Sequence, residues 1–361
     1  MINIKISIRF EEREEKYKMR AAIVEKVGNV SIKDIPKPSP GLGEALVKMS
    51  TAGVCHSDLH LMLGDWMEIP TPLPLGHEGI GIIEEFGSGS KANLKIGDRV
   101  ILGLGGAAGR YWCGTCEYCL AGKSMYCPER QPLFGTFSEY ISVRATNLVK
   151  LPEEISDNEV PLACGGLTAY AAIKKVSKFG IPPGKTVAII GAAGGLGHYA
   201  VQIAKAFGYK IIGVDVGSDK LEFVKKLGAD YAIDANEAGK FIEDKFGGVH
   251  TSVVFAAKVS AYELGLKILR VGGLLIAVGL PALSEGPLSI IPFEILFRDL
   301  HIMGSFVGTV EEMRELVQLA AEGKVKTHIG RVASLSELDQ VFKELGQGKF
   351  VGRAIINNFL K

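Results

Sequence analysis

The chain has 361 residues, 47% of them hydrophobic, with 45 glycines and a formal net charge of +1. That length is long for one core and points to two domains, and the apolar, glycine-punctuated composition excludes an intrinsically disordered chain. With 41 basic and 40 acidic residues there is no electrostatic footprint for nucleic acid or an anionic membrane, and apolar runs such as 272–280 fall far short of the ~20 residues a spanning helix needs.

Residues 1–18 are charged and lack the continuous apolar stretch of a secretory signal. They are expected to be a disordered extension with no catalytic role, ahead of a domain start at Met19. The expected compartment is the reducing cytoplasm, where clustered cysteines bind metal more often than they form disulfides. From about 19 to 151, short apolar runs at 45–49, 79–84 and 99–102 are broken by Gly and Pro. This pattern predicts a β-rich, barrel-like domain.

The character changes after Cys164. Strands are predicted over 186–190, 211–214, 231–233, 253–256, 274–278 and 302–307, with helices at 195–207, 218–227 and 261–269. Continuous apolar strands alternating with helices predict a parallel sheet covered on both faces, and six of them complete a doubly wound dinucleotide fold. Beyond 308, helices at 310–322 and 336–345 and a strand at 353–356 are too few for a domain. They are expected to return to the first domain and make it discontinuous. The expected division is 19–164 with 308–361, and 165–307.

Gly191-Ala192-Ala193-Gly194-Gly195-Leu196-Gly197 follows a predicted strand and opens a predicted helix. Glycines there let the backbone approach a pyrophosphate, and the helix N-terminus favours its charge. Ala192 stands where the first glycine of the fingerprint would fall, so a purely structural turn is the competing reading. Asp215 ends the next strand, where an acid bonds the adenosine ribose hydroxyls and repels a 2′-phosphate. With no arginine just beyond, NAD is favoured over NADP. Capping of the strand end is the plainer alternative for Asp215. Lys220 is within reach of the same ribose, although its spacing equally suits a surface helix.

Cys113, Cys116, Cys119 and Cys127 are spaced C-x2-C-x2-C-x7-C. Four thiolates close a tetrahedral zinc site without another ligand, and closed sites are structural. The neutral charge argues against a nucleic-acid zinc ribbon. Cys55, His77 and Cys164 are a second set of metal-type ligands, far apart in sequence, and a lone cysteine is usually a small buried hydrophobe. Their flanks, Cys55-His56-Ser57-Asp58-Leu59-His60 and Gly76-His77-Glu78-Gly79, are dense in chemically useful groups. Three protein ligands with an open position are the mark of a catalytic zinc.

With these motifs together, the chain resembles the zinc-dependent alcohol dehydrogenases of the medium-chain dehydrogenase/reductase superfamily, most of all their tetrameric microbial branch. The resemblance rests on residues 53–60, 76–79, the four-cysteine run, Cys164-Gly165-Gly166-Leu167-Thr168-Ala169-Tyr170, 191–197 and Asp215. It spans about residue 19 to the C-terminus. It implies an α/β fold: a six-stranded doubly wound parallel Rossmann domain at 165–307, and a discontinuous β-rich GroES-like catalytic domain carrying both zinc sites. It implies two Zn2+ per chain and NAD(H). Cys55, His77 and Cys164 would hold the catalytic zinc, Glu78 would be a transient ligand, and Asp58 would orient His77. Cofactor contacts would fall on His56, Thr168, Gly191, Gly194, Gly195, Leu196, Gly197, Asp215, Lys220, Val278, Gly279 and Arg353, with Arg353 and His56 at the pyrophosphate. Ser57 and Trp66 would line the substrate pocket.

The implied reaction is reversible oxidation of primary, and also secondary, alcohols to aldehydes or ketones by hydride transfer from a zinc-bound alkoxide. The proton would leave through Ser57, the nicotinamide ribose and His60. The family implies a homotetramer or homodimer built on the 302–307 strand. Competing readings are a cinnamyl-alcohol, polyol or formaldehyde-type zinc dehydrogenase, a zinc-free quinone reductase, and a non-catalytic zinc-ribbon binding module. The chain departs from the family pattern at Ala192, in the short stretch from Cys127 to Gly135, and in the glycine-rich run before Cys113.

Overall fold

In the computed structural model of the chain the described residues are 18–66, 69–90, 92–102 and 109–357. The expected extension therefore lies outside them except for Lys18, which already belongs to the first strand, Lys18–Lys26. Most of the 103–111 run, at 103–108, also lies outside the described residues. The chain forms two compact units. The first comprises the described residues of Met1–Leu167, Val307–Ala321 and Ile329–Lys361; the second is Thr168–Phe306 with Glu322–His328.

Among the described residues, the first unit is built on two sheets. The larger orders its strands Ile329–Ala333, Arg353–Asn357, Glu44–Val54, Glu78–Phe86, Arg99–Leu102 and Leu148–Lys150, with Tyr140–Arg144 also paired to Glu44–Val54. Glu44–Val54 is long and almost wholly buried because its apolar residues serve both of its faces. Val47, Met49, Ala52 and Val54 pack with Leu75, Leu102, Phe137 and Phe342 in one core. Burying such side chains stabilises the unit by about 1.5–3 kcal/mol each. The register pairs Gly53 with Glu78 and Val54 with Ala354. Cys55, Glu78 and Arg353 are thereby drawn to one end of the sheet.

The second unit contains, among the described residues, a six-stranded sheet ordered Tyr231–Asp234, Lys210–Asp215, Thr186–Ile190, Val249–Val254, Leu269–Ala277 and His301–Gly304. Every pairing is parallel. Thr186–Ile190 is buried throughout, as a strand covered on both faces must be. The order reverses direction beside Thr186–Ile190, which is where such sheets bind dinucleotides.

Several elements differ from expectation. The helix predicted from 195 begins at Gly197, because residues 194–196 form the turn that presents its N-terminus. The fold adds helices His56–Leu63, Gly165–Lys178 and Ala235–Phe246 and the strand Ile329–Ala333 to the expected elements. Gly165–Lys178 opens on two poor helix formers, a propensity that burial of Leu167, Ala169, Ile173 and Val176 overrides. Glu322–His328 belongs with the second unit. The Gln202 side chain accepts from Lys326 N–H at 2.9 Å and donates to its carbonyl at 3.0 Å, and Tyr199 Oη meets Thr327 Oγ1 at 2.8 Å.

Candidate metal and dinucleotide sites

Cys55 caps the helix His56–Leu63 at its N-terminus, and Asp58 sits at the third helical position. The Asp58 carboxylate is fully buried and works in two directions. Oδ2 accepts the Cys55 backbone N–H at 3.0 Å, and Oδ1 bonds His77 Nδ1 at 2.8 Å. That second bond leaves Nε2 of His77 as the nitrogen available to a ligand, the usual arrangement behind a metal-binding imidazole. Gly76, at φ 94°, makes the bend before His77; a Cβ there would lie 2.6 Å from Phe137 N. Burial works against charge on His77, but the Asp58 carboxylate outweighs it and pushes the imidazole well upward.

Ligand atoms of Cys55, His77, Glu78 and Cys164 all lie within 4.8 Å of one another. The Cys55 and Cys164 sulfurs are close enough to share a proton, which pushes Cys55 well down and Cys164 well up. Glu78 is 0% exposed and Arg353 4%. Arg353 Nη2 donates to both Glu78 oxygens, at 2.5 and 2.7 Å, and to the Val54 carbonyl at 3.1 Å. Gly53 makes room for this pair, since a Cβ there would overlap the Glu78 carboxylate. Two thiols and the Glu78 carboxylate thus lie beside one buried guanidinium, while the Asp58 carboxylate is given to His77. A divalent cation offsets most of the anionic excess that would otherwise be buried unpaired. A borderline-soft donor set of two sulfurs and one imidazole nitrogen, with one carboxylate in reserve, fits zinc.

The second cluster, Cys113, Cys116, Cys119 and Cys127, also gathers its four sulfurs within 4.8 Å. Sγ–Sγ separations of 3.6 Å (Cys113–Cys127) and 4.0 Å (Cys113–Cys119) bracket the ~3.8 Å edge of a tetrahedron with 2.3 Å Zn–S bonds. Backbone N–H groups of Thr115 and Cys116 point at Cys113 Sγ and lower that thiol to about 6. The helix Glu117–Leu120 beside it buries no residue, and Tyr118, Leu120 and Tyr126 are exposed. Four thiolates converge on a lobe with little core, as a structural metal clamp requires.

In the second unit, Gly191 follows the strand Thr186–Ile190 at φ 82°, where a Cβ would meet Ala256 N at 2.8 Å. A Cβ at Gly197 would overlap the Gly191 carbonyl. The turn is therefore restricted to glycine at both ends, and Ala192, buried, is accommodated where the fingerprint has glycine. Asp215 Oδ2 accepts the Ala193 N–H at 2.8 Å and Oδ1 the Val216 N–H at 2.9 Å, so the acid braces the loop from the neighbouring strand. Lys220 Nζ stands 3.7 Å from Asp215. Val278 and Gly279 N–H groups bond the Val254 carbonyl at 3.2 and 2.9 Å, and the Gly279 carbonyl accepts from Tyr262 Oη. Thr168 is buried in Gly165–Lys178, His56 is exposed at the start of its helix, and Ser57 and Trp66 are half-buried.

Residues 41–153 match the alcohol dehydrogenase GroES-like domain family, and 195–322 match the zinc-binding dehydrogenase family. An alcohol dehydrogenase of Geobacillus stearothermophilus is 42% identical over 351 residues, covering 94% of this chain and 99% of the relative. The chain belongs to the zinc-dependent medium-chain alcohol dehydrogenases. This alcohol dehydrogenase is accordingly an NAD-dependent oxidoreductase whose cofactors are Zn2+ and NAD(H). An alcohol dehydrogenase of Moraxella sp. is 38% identical, covering 94% of this chain and 99% of the relative. Among solved structures, the alcohol dehydrogenase of Aeropyrum pernix superposes with a TM-score of 0.84 at 33% identity, covering 94% of this chain and 100% of the other. A cobalt- and zinc-bound alcohol dehydrogenase from Pyrobaculum aerophilum gives 0.83 at 26% identity over 95% of this dehydrogenase and 100% of that chain. None of the described helices is long and apolar enough to cross a membrane.

The Glu78–Arg353 pair, the glycine at 53 that makes room for it, and Asp65 are functional features beyond those the motifs mark. Gly53 carried the one available signal, a glycine two residues before a candidate ligand inside an apolar strand, which marks close approach of another group.

Proposed function

We propose that Cys55, His77 and Cys164 hold the catalytic zinc of a dehydrogenase that interconverts primary, and also secondary, alcohols with aldehydes or ketones, and that Cys113, Cys116, Cys119 and Cys127 hold a second, structural zinc. The observation that carries the reading is the convergence of those three residues with Glu78 in a buried, anion-rich pocket backed by Asp58. Zinc supplies a Lewis acid for the substrate oxygen, and NAD(H) accepts or donates the hydride. Asp58 keeps His77 in the tautomer that offers Nε2. Glu78 stands in reserve as a further oxygen ligand during exchange, its charge balanced by Arg353. Ser57 takes the substrate hydroxyl proton and His60 passes it to solvent, a role suited to imidazole near neutral pH. Trp66 and Ser57 bound the substrate.

The first unit is the catalytic domain, and the second unit, Thr168–Phe306 with Glu322–His328, is the dinucleotide domain. Gly191, Gly194, Gly195, Leu196 and Gly197 receive the pyrophosphate, Asp215 and Lys220 the adenosine ribose, and Thr168, Val278 and Gly279 the nicotinamide end. His56 is the further candidate for the pyrophosphate; Arg353, expected beside it, gives its Nη2 to Glu78 and the Val54 carbonyl. All six cysteines are unpaired thiols, which supports a reducing, cytoplasmic location. The edge strand His301–Gly304 and the neighbouring exposed Phe293, Leu296 and Phe297 support pairing with a second copy, and then a dimer of dimers.

Metal analysis joined to substitution tests the assignment. Cys55→Ser is expected to abolish alcohol-dependent NADH formation while the chain stays folded with one zinc. Cys116→Ser is expected to lose the other zinc and to lower stability first. Full activity in Cys55→Ser would sink the catalytic assignment.

A further inference from the structure

The turn that ends the helix His56–Leu63 reaches back to one side chain. Gly64 adopts φ 73°, its N–H bonds the Leu61 carbonyl at 3.1 Å, and the Asp65 N–H bonds the His60 carbonyl at 3.0 Å. These are the two bonds of a Schellman stop, and they end the helix without help from any side chain. The same turn carries the Asp65 carboxylate round to the His60 ring, with Oδ2 at 2.7 Å from Nδ1. Trp66 follows and lies over the imidazole, ring centroids 4.6 Å apart and planes 32° apart. The other imidazole nearby, His56, is farther off at 6.2 Å.

A carboxylate at a helix C-terminus opposes the macrodipole, at a cost on the order of 0.3–1 kcal/mol. Helix stability therefore does not explain Asp65. The imidazole does: His60 is held on one edge by a carboxylate and on one face by an indole, while its side chain stays 25% exposed. With Nδ1 engaged by Asp65, Nε2 is the nitrogen left to exchange a proton.

We propose that Asp65 is a positioning residue for proton transfer by His60, accepting the Nδ1–H and so fixing the tautomer and ring orientation in which Nε2 works. The inference rests on the reading of His60 as the proton carrier. One proton passes per turnover. It arrives on Nε2 of His60, the charged ring is steadied by the Asp65 carboxylate, and the same proton leaves Nε2 to water. The electron pair of the reaction travels separately as hydride to NAD. Trp66 keeps the ring from swinging away from this orientation.

The test is a double-mutant cycle on the whole enzyme: wild type, Asp65→Asn, His60→Gln and the double variant. Each is mixed rapidly with a primary alcohol at saturating NAD, and NADH formation in the first turnover is followed by absorbance. NADH binding is measured by fluorescence, and zinc content is checked in each protein. Asp65→Asn is expected to slow the first turnover on the order of tenfold, with NADH affinity changed by less than about twofold. Added to His60→Gln, it is expected to change nothing further, because it acts only through that ring. The proposal is overturned if Asp65→Asn keeps the wild-type rate, or if it slows the His60→Gln protein by the same factor as the wild type. A His60→Gln enzyme running at the wild-type rate would instead overturn the reading of His60 itself, whatever Asp65→Asn does.

Discussion

Arg353→Met removes a guanidinium whose Nη2 serves both oxygens of Glu78, at 2.5 and 2.7 Å, and the Val54 carbonyl, while keeping most of the apolar stem. Burial pushes the Glu78 carboxyl up to about 7, and the charge of Arg353 holds it down against that push. Without Arg353, the carboxyl beside Asp58 and two cysteine sulfurs has lost its paired cation and stays buried only by taking up a proton or by stranding its charge. Breaking a buried pair by deleting one partner costs about 3–5 kcal/mol, whereas a surface pair is worth roughly 0–1. Both side chains are almost fully buried, so the larger figure applies. The assay is equilibrium urea unfolding near neutral pH with zinc in excess, comparing wild type, Arg353→Met, Glu78→Gln and the double variant. Arg353→Met should lose about 3–5 kcal/mol, and the double variant should regain most of it because no charge is left stranded. A loss below about 1 kcal/mol, or a double variant no more stable than Arg353→Met, would refute the claim that the pair is an electrostatic unit.

Two further outcomes follow from the geometry. Asp58→Asn leaves His77 free to take the wrong tautomer, so zinc affinity, read by competition with a chelator, should fall about 10–100-fold; unchanged affinity would refute the orienting role. His250 bonds Thr186 Oγ1 at 2.8 Å and Arg270 Nη1 at 2.9 Å, and burial first, then Arg270 and Lys185, lowers its pKa. Its unfolded form therefore binds a proton more readily than its folded form. Stability from this group is full above the unfolded value of about 6.5 and declines as pH falls from there toward the folded pKa. The stability gap between wild type and His250→Gln should accordingly shrink between about pH 8 and pH 5.5, and a widening gap would contradict the sign.

Much of the candidate site was legible because ligand chemistry is written in residue type and short-range spacing. Cys113, Cys116, Cys119 and Cys127 stand close in the chain, so any compact fold of that stretch brings them together. The glycines at 191 and 197 announce a strand-to-helix turn that a side chain would obstruct. The parallel sheet was visible in apolar strands that need no alternation when both faces are covered. Helix Gly165–Lys178 was not legible, since its opening glycines argue against a helix until packing overrides them.

What the sequence determined by itself, then, is local: the four-cysteine cluster, the glycine turn, the strand series and the near-even balance of charge. Only the tertiary structure decided what meets what. The register of Glu44–Val54 between Glu78–Phe86 and Arg353–Asn357 pairs Glu78 with Arg353 across 275 positions of sequence. The return of Glu322–His328 to the second unit, and of Asp65 to His60, depend likewise on backbone geometry that no residue pattern spells out. The physical reason is that a side chain's chemistry is carried by the residue, whereas its partner is set by strand register and turn conformation, which the packing of the whole chain selects.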